Sequence, residues 1–264
     1  MHMRYIDIHA HLDDKAFTAD RADVLNRLVE HDVGVITIGT TKKSSEFASA
    51  LSRENASVWA CIGIHPEDGV GEEFVNEEFE ALLHKKVVAI GECGLDYFRK
   101  SKDGVYERQK KLFEIQIQFA IAHNLPLMLH VRPSKGSLDA YNDALEILES
   151  YKAQYPALKG NSHFFAGDVP TATRFFDIDF TISFTGVITF ASEYDEVIKH
   201  APLERMHAET DAPYVAPIPF RRERNEPIHV REVYRRIAEI KGIEENSHRE
   251  TFLHNANSLF GLNK

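Results

Sequence analysis

No apolar run in the 264-residue sequence approaches the ~20 residues needed to cross a bilayer, and no signal-peptide pattern opens it. No membrane partner is expected. Cysteine is nearly absent: Cys61 and Cys93 are too few for a disulfide framework or a Cys-rich zinc cluster, which makes a reducing cytoplasm the expected location. An excess of basic charge is missing too, since the net charge is -10, and this argues against a surface that coats nucleic acid broadly. The chain has no GxGxxG fingerprint. Gly34 and Gly39 have P-loop spacing, but Thr40 stands where the lysine belongs, which excludes a Walker phosphate cradle. No internal repeat, low-complexity tract or Pro/Gly linker divides the chain. No obligate protein partner is evident. Met1 and His2, ahead of Met3, resemble a cloning remnant and carry no functional argument.

What is present fits an ordinary globular enzyme, with 43% hydrophobic and 27% charged residues. Short β-branched or apolar runs alternate with longer helical patterns, the sequence form of repeated βα units. Eight runs predict strands at 5–8, 35–39, 59–63, 87–91, 126–129, 161–164, 180–184 and 206–209. Amphipathic patterns predict helices at 108–123 and 230–240, with an extra terminal helix at 246–260. Eight strands with intervening helices favour an α/β fold of the (β/α)8 TIM-barrel type. The expectation is one domain over residues 1–264 with a C-terminal extra helix.

Polar residues then fall at the ends of the predicted strands. His9 and His11 close the first strand, His65 follows the third, Glu92 ends the fourth and His130 ends the fifth. His163 lies in the sixth, and Asp211 follows the eighth. The C-terminal ends of barrel strands are where such folds build active sites. Strand alternation puts His9 and His11 on one side. With 14 histidines, chance alone supplies roughly 0.7 His-x-His pairs, so that motif means little by itself. The full constellation means more, because imidazoles and carboxylates converging on one rim would strand buried charge unless they bind a cation. The remaining histidines, His84, His123, His200, His207, His229, His248 and His254, lie on helices or away from strand C-termini, where surface or packing roles suffice.

The segments Asp7-Ile8-His9-Ala10-His11, Gly63-Ile64-His65-Pro66, Gly91-Glu92-Cys93-Gly94-Leu95-Asp96-Tyr97, Leu129-His130-Val131-Arg132 and Glu209-Thr210-Asp211-Ala212-Pro213-Tyr214 resemble the TatD-family deoxyribonucleases of the amidohydrolase superfamily. Arg224-Asn225-Glu226-Pro227 and Asn257-Ser258-Leu259-Phe260 resemble its later motifs, so the resemblance spans essentially the whole chain. It implies a metal-dependent hydrolase that cleaves DNA phosphodiester bonds, at single strands or 3′ ends. One divalent ion would be held by His9, His11, Glu92 and Asp211, and a second by Glu92, His130 and His163, with Glu92 bridging. Asp211 would also serve as general base for the attacking water, with Glu209 assisting or binding a third ion. The resemblance implies Mg2+, whereas four imidazoles among six ligands favour Zn2+, Mn2+ or a similar softer ion. His65, Arg132, Arg222 and Arg224 are the expected substrate contacts. Cys93 is expected to pack rather than react.

The chain departs from the family pattern at Glu67, where histidine is frequent, and at Pro133, where an acidic residue is usual. It departs again at His163-Phe164-Phe165-Ala166-Gly167, where the family has His-Cys-Phe-Ser-Gly. These departures bear on substrate, not on metals. Ten cations, Lys42, Lys43, Arg99, Lys100, Lys102, Arg132, Lys135, Arg221, Arg222 and Arg224, fall in loops after predicted strands and lead to the expectation of a positive rim. Phe98, Tyr97, Tyr214 and Phe220 beside them are candidates for stacking on bases. An amide or ester hydrolase, including an aminoacyl-tRNA deacylase, is the alternative, because the same ions would polarise a carbonyl.

Overall fold

Each apolar run pairs with the next in parallel, and the amphipathic segments between them cover the outside. The computed structural model describes residues 3–263; Met1 and His2 lie outside these. The chain runs β1 (Tyr5–Ala10), α1 (Arg21–Glu30), β2 (Val33–Ile38), α2 (Lys42–Glu54), β3 (Val58–Ile62), α3 (Asn76–Glu80), β4 (Val87–Asp96), α4 (Lys102–His123) and β5 (Leu127–Arg132). It continues through α5 (Asp139–Gln154), β6 (Gly160–Ser162), α6 (Val169–Asp177), β7 (Thr181–Phe184), α7 (Asp195–His200), β8 (Met206–Ala208), α8 (Val230–Lys241) and α9 (Glu245–Phe260). Strand order is sequential from β1 to β8. The ring closes where Ala10 bridges Ala212, with His11 N donating to Ala212 O at 2.7 Å and Asp211 N to His9 O at 2.9 Å. This is the (β/α)8 barrel expected, with α9 as its extra C-terminal helix.

Two apolar clusters divide the strand faces. Tyr5, Val33, Val35, Ala60, Ile62, Leu127 and Leu129 pack outward among the helices. Ile6, Ile8, Ile36, Ile38, Cys61, Ala89 and Met128 form the interior, where Ala256, Leu259 and Phe260 of α9 close the floor. The interior is apolar only on the side of β1–β5. On β6–β8 the inward positions are Asn161, Thr181, Ser183 and His207, all buried.

Two strands break their alternation beneath the rim, and β4 carries a further shift against β3 between Val87 and Ala89. Between Asp7 and Ala10, β1 spends three residues against two on β2, and between Ile90 and Cys93, β4 does the same against β5. Such a bulge inserts one residue and re-aims the side chains beyond it. Below each bulge Ile8 and Ala89 face inward; above it His9 and Glu92 face inward too, while Cys93 turns to the helices. Glycine makes the β4 bulge possible. Gly91 and Gly94 have φ of 146° and 142°, and a Cβ on either would collide with the backbone carbonyl of Met128 or His130. The bulge also explains why β4 runs on to Asp96 where a strand ending near Gly91 was expected. The opposite correction applies to β6, which stops at Ser162, so His163 falls just beyond it. Phe164 follows with φ 43°, and that left-handed turn ends the strand.

His207 offers a test of the interior. Neither ring nitrogen has a hydrogen-bond partner among the described residues, and burial pushes its pKa down to about 3. In the unfolded chain the pKa is ~6.5, so the unfolded state binds the extra proton as pH falls from 6.5 toward 3, and folded stability is lost over that window. His207→Leu should remove about 3 kcal/mol of the stability lost between pH 7 and pH 4, as read by urea unfolding of both proteins at both pH values. Equal pH slopes would show that His207 protonates in place.

Candidate metal centre

At the C-terminal mouth of the barrel lies a cleft of about 790 Å3. Glu92 stands at its base with 3% of its surface exposed, and its two oxygens face different partners. Oε1 is 2.8 Å from His130 Nδ1 and 2.8 Å from His163 Nε2. Oε2 is 3.4 Å from His9 Nε2 and 3.7 Å from His11 Nε2. Asp211, held at φ 56° after β8, places Oδ1 3.3 Å from His11 Nε2 and 3.8 Å from His9 Nε2. All six residues expected as ligands therefore meet at one place.

The donor set fits divalent cations. His9 Nε2 and His11 Nε2 face each other at 3.3 Å, and His163 Nε2 and His130 Nδ1 at 3.5 Å. Ligand atoms around one ion with ~2.1 Å bonds stand ~3.4 Å apart in a tetrahedron, which is the spacing found here. His9–His11–Asp211 and His9–Glu92–His163 each form a group able to hold an ion, and so does His65–Glu92–His130.

The protonation pattern follows from the crowding. Burial opposes the ionisation of Glu92, yet the charges of His163 and His9 and hydrogen bonds from His130 and His163 hold its carboxyl well below the usual range. Burial likewise opposes a charge on His11, but the hydrogen bond to Asp211 and the Glu92 charge raise its pKa to about 9. His130 and His163 are raised against the same burial, His130 first by its bond to Asp96 and His163 first by the Glu92 charge. His9 goes the other way, through burial and the neighbouring His163.

His65 behaves differently. Its Nδ1 accepts the backbone N–H groups of Glu67 and Asp68 at 3.1 and 3.0 Å, and burial pushes its pKa down to about 3. A neutral imidazole with Nδ1 so engaged carries its proton on Nε2, which points at Glu92 Oε1 from 3.7 Å. That arrangement suits a hydrogen-bond donor to a substrate oxygen better than a metal ligand.

Other expected residues go elsewhere. Glu209 is fully buried: its Oε1 accepts Phe164 N–H at 2.6 Å and its Oε2 accepts Ser183 O–H at 2.7 Å. It stands behind His163, so the water-activating or third-ion role expected for it is corrected. Arg224 is tied to Asp20 at 2.6 Å and Glu226 at 2.7 Å, away from the cleft, and Arg222 does not line the cleft either. The positive rim is corrected with them. Lys42, Lys100 and Lys102 pair with Glu78, Glu67 and Asp143, and of the ten loop cations only Arg99 and Arg132 line the cleft. Asp13, Asp14, Glu67 and Asp68 join Glu92, Asp96 and Asp211 there and make its wall acidic. Of the stacking candidates, Tyr97 is buried with its hydroxyl on Asp143, and Phe220 stacks on His229. Phe98 lies under the Arg132 guanidinium at 3.9 Å, and Tyr214 stands exposed beside His11.

One functional residue escaped the sequence reading. Asp96 accepts from His130 Nε2 at 2.9 Å and so orients that ring. The signal was present, since Glu92, Gly94 and Asp96 alternate onto one face of the strand.

Comparison with known proteins agrees with this geometry. A family profile described as TatD related DNase matches residues 6–261. A Bacillus subtilis protein, the uncharacterized metal-dependent hydrolase YabD, is 35% identical across 97% of this chain and 99% of its own length. A Shigella flexneri protein named 3'-5' ssDNA/RNA exonuclease TatD is 32% identical over 97% of this chain and 98% of its own. The crystal structure of YjjV, a TatD homolog from Escherichia coli, superposes with a TM-score of 0.87 at 28% identity, covering 99% of each chain.

A cation entering this cluster must displace protons from His11, His130 and His163. Its affinity should therefore climb as pH rises from 6 and level off only above about 9, once His11 has lost its proton. Calorimetric titration with Zn2+ in buffers of different ionisation enthalpy should show more than one proton released per chain. An affinity independent of pH over this range would remove the imidazoles from the ligand set.

Proposed function

The chain belongs to the TatD related DNase family, and on that premise we propose that it is a metal-dependent hydrolase of nucleic-acid phosphodiester bonds. The observation that carries this reading is the division of Glu92 between two sets of donors, one oxygen toward His130 and His163 and the other toward His9 and His11. Such a carboxylate suits a pair of ions ~3.5–4 Å apart. We assign the first to His9, His11, Glu92 and Asp211, and the second to Glu92, His130 and His163. Four imidazoles favour Zn2+ or Mn2+ over Mg2+. When bound, the cations supply Lewis acidity, acidifying water and neutralising charge on phosphoryl oxygens.

The chain's own groups supply the rest. Asp211, whose carboxyl is kept below the usual range by its bond to His11 in spite of burial, is ionised at neutral pH and takes the proton of the attacking water. His65 donates from Nε2 to an oxygen of the substrate. Arg132, with its guanidinium plane held flat on Phe98, receives a phosphate of the strand. With Arg99 and Arg132 as the two arginines on its wall, the cleft suits a chain end presenting one or two phosphates better than a continuous duplex. The acidic wall also favours a second reading, an ester or amide hydrolase whose substrate carries less negative charge. Two buried free thiols, Cys61 and Cys93, fit a reducing compartment such as the cytoplasm.

The deciding assay measures cleavage of labelled single- and double-stranded DNA, and of a neutral ester, across Mg2+, Mn2+ and Zn2+. Asp211→Asn should lower kcat on single strands by about 10²-fold or more while the fold persists; full activity would take Asp211 out of the base role. Arg132→Ala should raise KM for DNA and flatten its salt dependence by about one phosphate contact. An unchanged salt slope would favour the neutral substrate.

A further inference from the structure

The polar side chains on the inner faces of β6–β8 have no counterpart on β1–β5, where the same depth is filled with isoleucine, cysteine and methionine. Burying a hydroxyl or an amide costs about 1–3 kcal/mol unless it is hydrogen-bonded. These groups bond to one another in sequence. Thr181 Oγ1 shares its proton between Asn161 Oδ1 at 2.9 Å and Gly160 O at 3.2 Å. Asn161 Nδ2 donates to Ser183 Oγ at 2.7 Å, and Ser183 Oγ donates to Glu209 Oε2 at 2.7 Å. Beyond Glu209, His163 Nδ1 faces Oε1 at 3.4 Å, an ion-pair contact, and has no hydrogen-bond partner among the described residues.

The direction of this series is fixed by its end. A carboxylate only accepts, so Ser183 spends its single proton on Glu209 and must itself accept from the next group. That requires the NH2 side of Asn161 toward Ser183, which leaves Oδ1 for Thr181. A flipped Asn161 amide would draw the Ser183 proton away from Glu209. Every donor therefore points toward one carboxylate, whose Oε1 accepts the Phe164 N–H and faces the Nδ1 of an imidazole with Nε2 in the metal cluster.

We infer that Thr181, Asn161, Ser183 and Glu209 form a one-way hydrogen-bond chain that keeps a proton on Nδ1 of His163 and so presents Nε2 to a metal ion. The inference rests on the metal-centre reading above. Glu209, Ser183 and Asn161 are positioning residues, since none touches the reacting atoms. Loss of a partner that orients a ligand histidine typically weakens metal binding by about 10–100-fold. The chain also predicts a gradient, because each removal is felt through one more bond.

The test uses the full-length protein labelled with 15N-histidine and titrated with Zn2+. In the wild type the Zn2+-loaded protein should show a slowly exchanging His163 Nδ1–H resonance. Ser183→Ala should weaken Zn2+ binding about 10-fold and speed that exchange. Asn161→Leu should do so less, and Thr181→Val least, while Ser183→Thr restores both readouts. Equal losses in the three variants that merely track falling Tm, or unchanged affinity and exchange in Ser183→Ala, would overturn the chain. Failure of the wild type to bind Zn2+ would overturn both this inference and the metal-dependent reading. A graded loss in a protein that cleaves no DNA would sustain the chain and overturn only the substrate.

Discussion

Glu92 is a carboxylate with almost no access to water, and the architecture of the rim answers to that fact. A buried charge must be paired or bound to a cation. Here the pairing is spread over four imidazoles drawn from β1 and the residue after it, β5 and the residue after β6, so removing any one of them leaves the charge under-compensated. Asp96 then attaches to the outer side of His130 and Glu209 to the far side of His163, while Asp211 shares His11 Nε2 with Glu92. Imidazole and carboxylate alternate across the whole mouth.

Much of this was legible from the chain. The eight strand runs and the terminal helix lie close to where the pattern implied, apart from the longer β4 and the shorter β6 that leaves His163 beyond it, and the six candidate ligands meet at one mouth. What the sequence hid was the phase of the strands. Strict alternation from Ile8 would send His9 to the helices, and from Ala89 it would send Glu92 there; the bulges reverse both. A bulge depends on backbone conformation permitted by Gly91 and Gly94 and on pairing with the neighbouring strand, neither of which periodicity reveals. Long-range pairing misled the charge reading as well. Lys100, Lys102 and Arg224 read as free cations because Glu67, Asp143 and Asp20 lie far away along the chain. Glu209 sits two residues from Asp211, yet the short β8 and the turn after it send the two carboxylates to opposite sides of His163.

The departures from the family pattern now have a location. Glu67, Pro133, Phe164 and Ala166 all line the cleft, while the candidate ligands match the pattern throughout. Glu67 is held by Lys100 and Arg108 at 2.9 Å each, and Phe164 is held at its left-handed turn by Glu209. These residues belong to the cleft wall and not to the candidate ligand set. The departures and the candidate ligands are thus separable sets of side chains on one rim, and Asp13, Asp14 and Asp68 stand with Glu67 outside the ligand set.

The bulges make the centre depend on how many residues a strand contains as much as on which residues they are. Deleting Ala10 from β1, or Cys93 from β4, would leave every histidine and acid in the gene and still turn His9 or Glu92 out of the mouth. Insertions in the loops between elements carry no such penalty. Length variation among descendants of this chain should therefore collect in the loops and spare these two strands, where a missing codon would be as harmful as a replaced ligand.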